Sequence, residues 1–233
     1  MIEPGTPIRI ATWNIHRAVG GDGLVDHQRV ISVLREISAD VTALQEVAYR
    51  SADKDDVLSR YAAALEAEAI EGITLLDERG HYGNAILTRL PVQRLRRHDI
   101  SISGREPRGA IDLCLAGNSR DFRLVATHLG LRPGERRQQV LQLNRLFNSR
   151  SPGVDILVGD LNEWLPGSRT LRALRRVFGP APAPATFPAR RPMVALDRIL
   201  VRPAMALGIL RVHRSPLARM ASDHLPLVAE ISL

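Results

Sequence analysis

The chain has 233 residues, 45% of them hydrophobic and 24% charged, with a formal net charge of +7 and a single cysteine, Cys114. Its length holds one large core or two small ones, its hydrophobic content excludes intrinsic disorder, and one cysteine excludes a disulfide framework or a cysteine-based zinc site. Because no run approaches the roughly 20 apolar residues that span a bilayer, and Met1–Pro7 has neither the basic nor the apolar region of a secretory leader, a soluble cytoplasmic domain is expected.

Lys54 is the only lysine among 32 basic residues. Arginine grips phosphate with two parallel hydrogen bonds, so the surplus suits an anionic partner such as nucleic acid or a phospholipid headgroup. Clusters such as Arg94, Arg96 and Arg97, or Arg169, Arg172, Arg175 and Arg176, read equally well as solvated faces.

In chain order, Ile8–Ile15 alternates as a strand does, and Asp26–Ala39 repeats Val30, Val33, Leu34 and Ile37 at helical spacing behind an Asp26 cap. A short buried strand follows at Val41–Glu46, then a helix over Val57–Ala67. Strands are predicted near Ile73–Leu76, Asn84–Thr88, Val92–Ile100 and Ala110–Leu115. The second half repeats the opening: strand Phe122–His128, helix Pro133–Phe147, strand Val154–Gly159. Each half therefore reads strand, polar tip, helix, strand, acidic tip. A helix near Arg169–Val177 and strands at Leu196–Val201 and Leu225–Ile231 complete the pattern. Fewer than 50 residues follow the Pro- and Ala-rich stretch 179–185, too few for a separate core, so it reads as a surface loop in one domain over 1–233. Alternating strands and helices, with strand pairs joined by short turns, favour two packed mixed β-sheets with helices outside, an α/β sandwich.

Polar residues interrupt these strands at their ends. Glu46 and Asp223 offer anionic oxygens and Asn14 a neutral one, a set that suits Mg²⁺ or Mn²⁺ better than zinc. Asp160 and Asn162, two apart, face the same side if the chain is extended, where one orients or deprotonates a water and the other holds it. Asp223 and His224 face opposite ways, so His224 needs another orienting partner, and Asp197 is available. His16, two residues after Asn14, points to the same edge. A metal, a positioned water and the two histidines His128 and His224 match hydrolysis at phosphorus. No Gly-x-Ser-x-Gly elbow or phosphate-binding P-loop occurs, and Gly20–Gly23 reads as a turn. Trp13 and Trp164 read as packing residues, and His27, His81, His98 and His213 are assigned no role.

Seven segments appear in one order: Thr12-Trp13-Asn14-Ile15-His16, Leu44-Gln45-Glu46-Val47, Tyr82-Gly83-Asn84-Ala85-Ile86-Leu87-Thr88-Arg89, Thr127-His128-Leu129, Gly159-Asp160-Leu161-Asn162, Leu196-Asp197-Arg198-Ile199-Leu200 and Ser222-Asp223-His224-Leu225-Pro226. This series resembles the endonuclease/exonuclease/phosphatase superfamily, the DNase I-like fold, from about Ile8 to the C-terminus. The segment from Thr186 to Arg190 is similar to that of compact bacterial members. The resemblance implies a four-layer α/β sandwich and Mg²⁺- or Mn²⁺-dependent cleavage of a phosphodiester or phosphomonoester. It implies Asn14, Glu46 and Asp223 at the metal, Asp160 on the water with Asn162 assisting, and His224 with Asp197 on the scissile phosphate. His128 is implied as a second phosphate-facing group, and Arg108 and Asn84 as further phosphate contacts. The expected substrate is a nucleic-acid or phospholipid-type phosphodiester, with no protein partner inferred. The rival reading is a phosphate- or nucleic-acid-binding domain without catalysis.

Overall fold

The computed structural model describes residues 6–49, 56–77, 80–148 and 153–233. In chain order its elements are β1 (Ile8–Asn14), α1 (His27–Ile37), β2 (Val41–Ala48), α2 (Val57–Leu65), β3 (Glu68–Asp77), β4 (Gly80–Thr88), β5 (Val92–Asp99) and β6 (Gly109–Leu115). They continue with β7 (Phe122–His128), α3 (Pro133–Leu146), β8 (Val154–Asp160), α4 (Arg169–Phe178), β9 (Asp197–Arg202), β10 (Leu207–Val212), α5 (Pro216–Ala221) and β11 (Leu227–Ile231). One sheet has the order β10-β11-β1-β2-β4-β3 and the other β5-β6-β7-β8-β9. The parallel pairs β1–β2 and β7–β8 each enclose a helix, so the repeated pattern in the sequence becomes one crossover unit per sheet.

Strand alternation builds the layers. Ile8 and Ile10 of β1, Leu124 and Ala126 of β7, and Ile156 and Val158 of β8 are buried in one apolar slab between the sheets. The opposite faces carry Ala11, Trp13 and Leu44 against α1, α2 and α5, and Val125 and Leu157 against α3 and α4. The result is helix, sheet, sheet, helix. Full burial of each Ile, Leu or Val contributes about 1.5–3 kcal/mol, which outweighs the modest intrinsic preferences of individual residues.

The helices start and stop for local reasons. Asp26 caps α1 by accepting from Arg29 N at 2.9 Å, and Ser38 closes it in the left-handed region at φ 47°. In α4, Ser168 accepts from Leu171 N at 3.1 Å while Leu171, Leu174 and Phe178 face inward. Arg169, Arg172, Arg175 and Arg176 of α4 are exposed, as are Arg94, Arg96 and Arg97 of β5, so both clusters are solvated faces.

Two elements escape the sequence pattern. β10 is an edge strand with no fully buried residue and with Gly208 and Ile209 exposed in succession, and α5 has only six residues, too short to display a period. β3 also begins at Glu68, earlier than expected, because polar residues on an edge strand mask its alternation.

The second sheet is braced away from Asp160 by buried ion pairs. Arg123 on β7 donates to both Asp112 oxygens, at 2.8 and 2.7 Å, and to Leu146 O at the end of α3. Burial pushes the Asp112 carboxyl up, but the Arg123 hydrogen bonds and charge, with His98 behind them, hold it below its ordinary value. A carboxyl depressed in the folded state stabilises the fold above its unfolded value near 3.9, and that stability is lost as pH falls through the folded value. Asp112→Asn is expected to cost about 3 kcal/mol at neutral pH by urea unfolding, since it strands a mostly buried guanidinium. The gap between variant and wild type should close below about pH 4.

Candidate active site

The apolar series between the sheets ends in polar side chains at one edge. After Ile8 and Ile10 the inward positions of β1 are Thr12 and Asn14; after Leu124 and Ala126 of β7 comes His128; after Ile156 and Val158 of β8 comes Asp160. On β9, which runs the other way, Asp197 precedes Ile199 and Val201. All four polar end residues are buried, so their charges and hydrogen bonds must be met within the site.

Asp160 is the meeting point. Asn14 Nδ2 donates to Asp160 Oδ2 at 3.1 Å and to Glu46 Oε1 at 3.0 Å. His128 Nε2 and His224 Nε2 approach Asp160 Oδ2 to 3.5 and 3.7 Å from two directions. The other oxygen, Oδ1, accepts from Asn162 N at 2.9 Å. Gly159 makes the approach of β8 to β7 possible: its φ is +142°, and a Cβ there would lie 1.8 Å from Thr127 O.

His224 is oriented by Asp197, as its neighbour Asp223 could not do. Its Nδ1 lies 2.9 Å from Asp197 Oδ2, which also accepts from Thr186 Oγ1 at 2.6 Å. Trp13 Nε1 donates to His224 O at 2.9 Å, and the Phe187 ring packs on the imidazole at 4.9 Å. Burial pulls the His224 imidazolium down, but the carboxylates of Asp197, Asp160 and Asp223 outweigh it and push the ring up to about 10. His128 behaves oppositely. Burial dominates over Asp160, and Arg108 and His224 add positive charge, so it falls to about 4. Donors flank it, Arg108 NH1 at 3.4 Å from Nδ1 and Asn162 Nδ2 at 3.0 Å from Nε2, which also disfavours a protonated ring. At neutral pH the site therefore holds one charged and one neutral imidazole.

Several of these residues reach the site by routes that simple alternation does not give. Glu46 is an extra residue in β2, where the register with β4 shifts between Leu44 and Val47, and its φ is +57°. Asn162 lies beyond the end of β8 at φ +50°, so the extended-chain reading of the Asp160–Asn162 spacing is corrected: a left-handed turn, held by Asn162 Nδ2 donating to Leu129 O at 2.8 Å, brings it beside His128. His16 begins a left-handed turn with Arg17 and Ala18 and donates its N–H to Asn14 Oδ1 at 3.0 Å. Its ring faces Asp223, Nδ1 to Oδ1 3.8 Å, at the solvent-facing mouth. Arg108 is buried beside His128 and pairs with Glu106 at 3.1 Å. Asn84 instead donates to Gly109 O at 3.3 Å, joining the two sheets next to Arg108.

Thr186, Phe187, Ser222 and Glu106 are site residues that sequence reasoning did not assign. Thr186 and Phe187 stand in a segment quoted only for its likeness to compact members, and their contacts are long-range. Trp13 is a packing residue as expected, but Trp164 is 58% exposed and the packing reading fails for it.

The oxygens suit a hard divalent cation. An amide NH₂ of Asn14 bridges two carboxylates, a position that a cation would take more strongly, and Asn14 has a carboxamide oxygen to contribute. Among the described residues Asp160, Asp197 and His224 also offer ligand atoms within 4.8 Å of one another. Asp197 and His224 are already hydrogen-bonded together, so that trio forms a line of acid, imidazole and acid rather than a ring of free ligands.

Ser222 ties the last site loop to β1, donating from Oγ to Asn14 O at 2.7 Å and accepting from His224 N at 3.2 Å. Ser222→Ala leaves both backbone groups buried without that partner. It is expected to lower stability by about 1–2 kcal/mol, read as a shifted urea midpoint at unchanged slope.

A family model described as Endonuclease/Exonuclease/phosphatase family matches residues 11–224. The chain is 31% identical over 251 residues to the uncharacterized protein YbhP of Escherichia coli K12, covering 97% of this chain and 96% of that one. In structure it is similar to an endonuclease/exonuclease/phosphatase from Beutenbergia cavernae, with TM-score 0.80 and 24% identity over 98% of this chain and 72% of that one. Another from Bacteroides vulgatus has TM-score 0.77 and 20% identity, over 98% of this chain and 99% of the other.

Proposed function

The chain belongs to the endonuclease/exonuclease/phosphatase family, whose members are generally hydrolases of phosphoester bonds, and from that premise we propose that it is a divalent-metal-dependent phosphodiesterase using the site around Asp160. The observation that carries the reading is the convergence of two imidazoles, one of them held by Asp197, on one buried carboxylate. A pure phosphate binder would gain nothing from Glu46, Asp160 and Asp223 facing its anion, whereas a hydrolase needs both a base for water and a cation for the phosphoryl oxygens.

In this reading Asp160 accepts a proton from the attacking water, with Asn162 fixing the angle of its carboxylate through the backbone hydrogen bond to Oδ1. His224, kept protonated by Asp197, donates toward a phosphoryl oxygen as negative charge builds there. His128 and Arg108 face the second non-bridging oxygen, and His16 and Asn84 border the same edge. Glu46, Asn14 and Asp223 are the residues that would hold Mg²⁺ or Mn²⁺, which supplies Lewis-acid stabilisation of the pentacovalent state when bound.

The test is hydrolysis of bis-p-nitrophenyl phosphate, beside p-nitrophenyl phosphate, with Mg²⁺, Mn²⁺ or EDTA. Metal-dependent cleavage of the diester is expected, reduced by about 10³-fold or more in Asp160→Asn and in His224→Ala. Equal turnover by wild type and both variants would sink the proposed site. Preference for the monoester would make the same site a phosphomonoesterase.

A further inference from the structure

Beside the candidate active site the polarity of the loops is inverted. Leu131, Trp164, Leu165 and Met193 are 70, 58, 52 and 70% exposed, although they are large and apolar. Behind them Arg136 and Glu163 are buried, paired at 3.3 Å. Arg136 NH1 donates to Leu131 O at 2.5 Å, and Glu163 Oε1 accepts from Leu165 N at 3.2 Å. One buried ion pair thus holds two loops with charges inside and hydrocarbon outside, the reverse of what burial alone would select. Single exposed apolar residues are ordinary, but these come from three separate loops at one edge.

The loops share a cleft of about 440 Å³, whose walls include Leu131, Trp164, Phe187 and Val194. Its inner end is the candidate active site: Asn162, also in the wall, reaches His128, and Phe187 packs on His224. Exposed arginines flank the apolar positions, Arg132 next to Leu131 and Arg190 and Arg191 just before Met193. Apolar side chains with a cationic margin complement a surface that is anionic outside and hydrocarbon beneath. Among the described residues no helix is long and apolar enough to cross a membrane.

We propose that this cleft docks an anionic phospholipid, its acyl portion against Leu131, Trp164 and Phe187 and its phosphodiester directed to Asp160. As a substrate assignment this rests on the phosphodiesterase reading above. Single-stranded nucleic acid is the weaker fit, because stacking a run of bases needs successive aromatic faces, and the cleft offers only Trp164 and Phe187, the second already packed on His224.

Trp164 provides the readout, since the other tryptophan, Trp13, is fully buried. Fluorescence of the full chain in EDTA is recorded with phosphatidylcholine vesicles, with vesicles that also contain phosphatidylglycerol, and with oligo(dT). A blue shift and co-sedimentation with the anionic vesicles are expected. The apparent affinity should fall about tenfold or more in Leu131→Asp/Met193→Asp. Met205→Asp, at an 88% exposed position beyond the far end of β9, should bind as wild type does. No shift with any vesicle, or a shift with oligo(dT) alone, overturns the proposal. Binding in EDTA calls on no turnover, so vesicle binding without diester hydrolysis would remove the catalytic reading and leave the lipid surface standing. Diester hydrolysis without vesicle binding would do the opposite.

Discussion

Face-to-face burial of the two sheets is the constraint from which the site follows. A strand that contributes every second residue to a dry slab presents its next inward position to the same place, whatever that residue is. Where the slab reaches its edge, β1, β7, β8 and β9 present Asn14, His128, Asp160 and Asp197. These residues are rigid because the apolar positions behind them are packed. Side chains placed at the ends of packed strands need little further support; loops add His224 and Asn162, and a bulge within β2 adds Glu46.

Packing so many carboxylates at one edge is unfavourable without cations, and the protein answers with asymmetry. Three carboxylates surround His224 and keep it charged, while burial and neighbouring donors keep His128 neutral. Two chemically identical rings on one carboxylate thereby acquire different protonation states at one pH. Asn14 joins Asp160 to Glu46 through a single amide, linking the β8 and β2 parts of the site. Local backbone cost accompanies this: Glu46 and the turn from His16 to Ala18 adopt left-handed conformations that glycine or asparagine would take more easily.

The same edge also carries the buried pair of Arg136 and Glu163, which organises loops whose outer surface is hydrocarbon. Acid–imidazole chemistry and an apolar margin are neighbours because both are built on the segments that follow β7 and β8 and precede β9. Toward the opposite end of the second sheet, Arg123 and Asp112 brace β7 against β6.

Much of this was legible before folding. Alternation and 3.6-residue spacing locate β1, α1, β2, β7 and β8 within a few residues, because their apolar faces are two-sided or strongly one-sided. The polar residues at strand ends stand out against that pattern, so Asn14, Asp160, His128 and Asp197 can be listed from the chain alone. β10, α5 and the full length of β3 are obscure because edge strands and one-turn helices bury too little to impose a period. What only the tertiary structure decides is who meets whom. The partnership of Thr186 with Asp197, the tie of Ser222 to Asn14, the bulge at Glu46 and the outward turn of Trp164 depend on contacts between residues far apart in the chain. Sequence periodicity records which face of an element is buried; it carries no record of which distant element will be pressed against it.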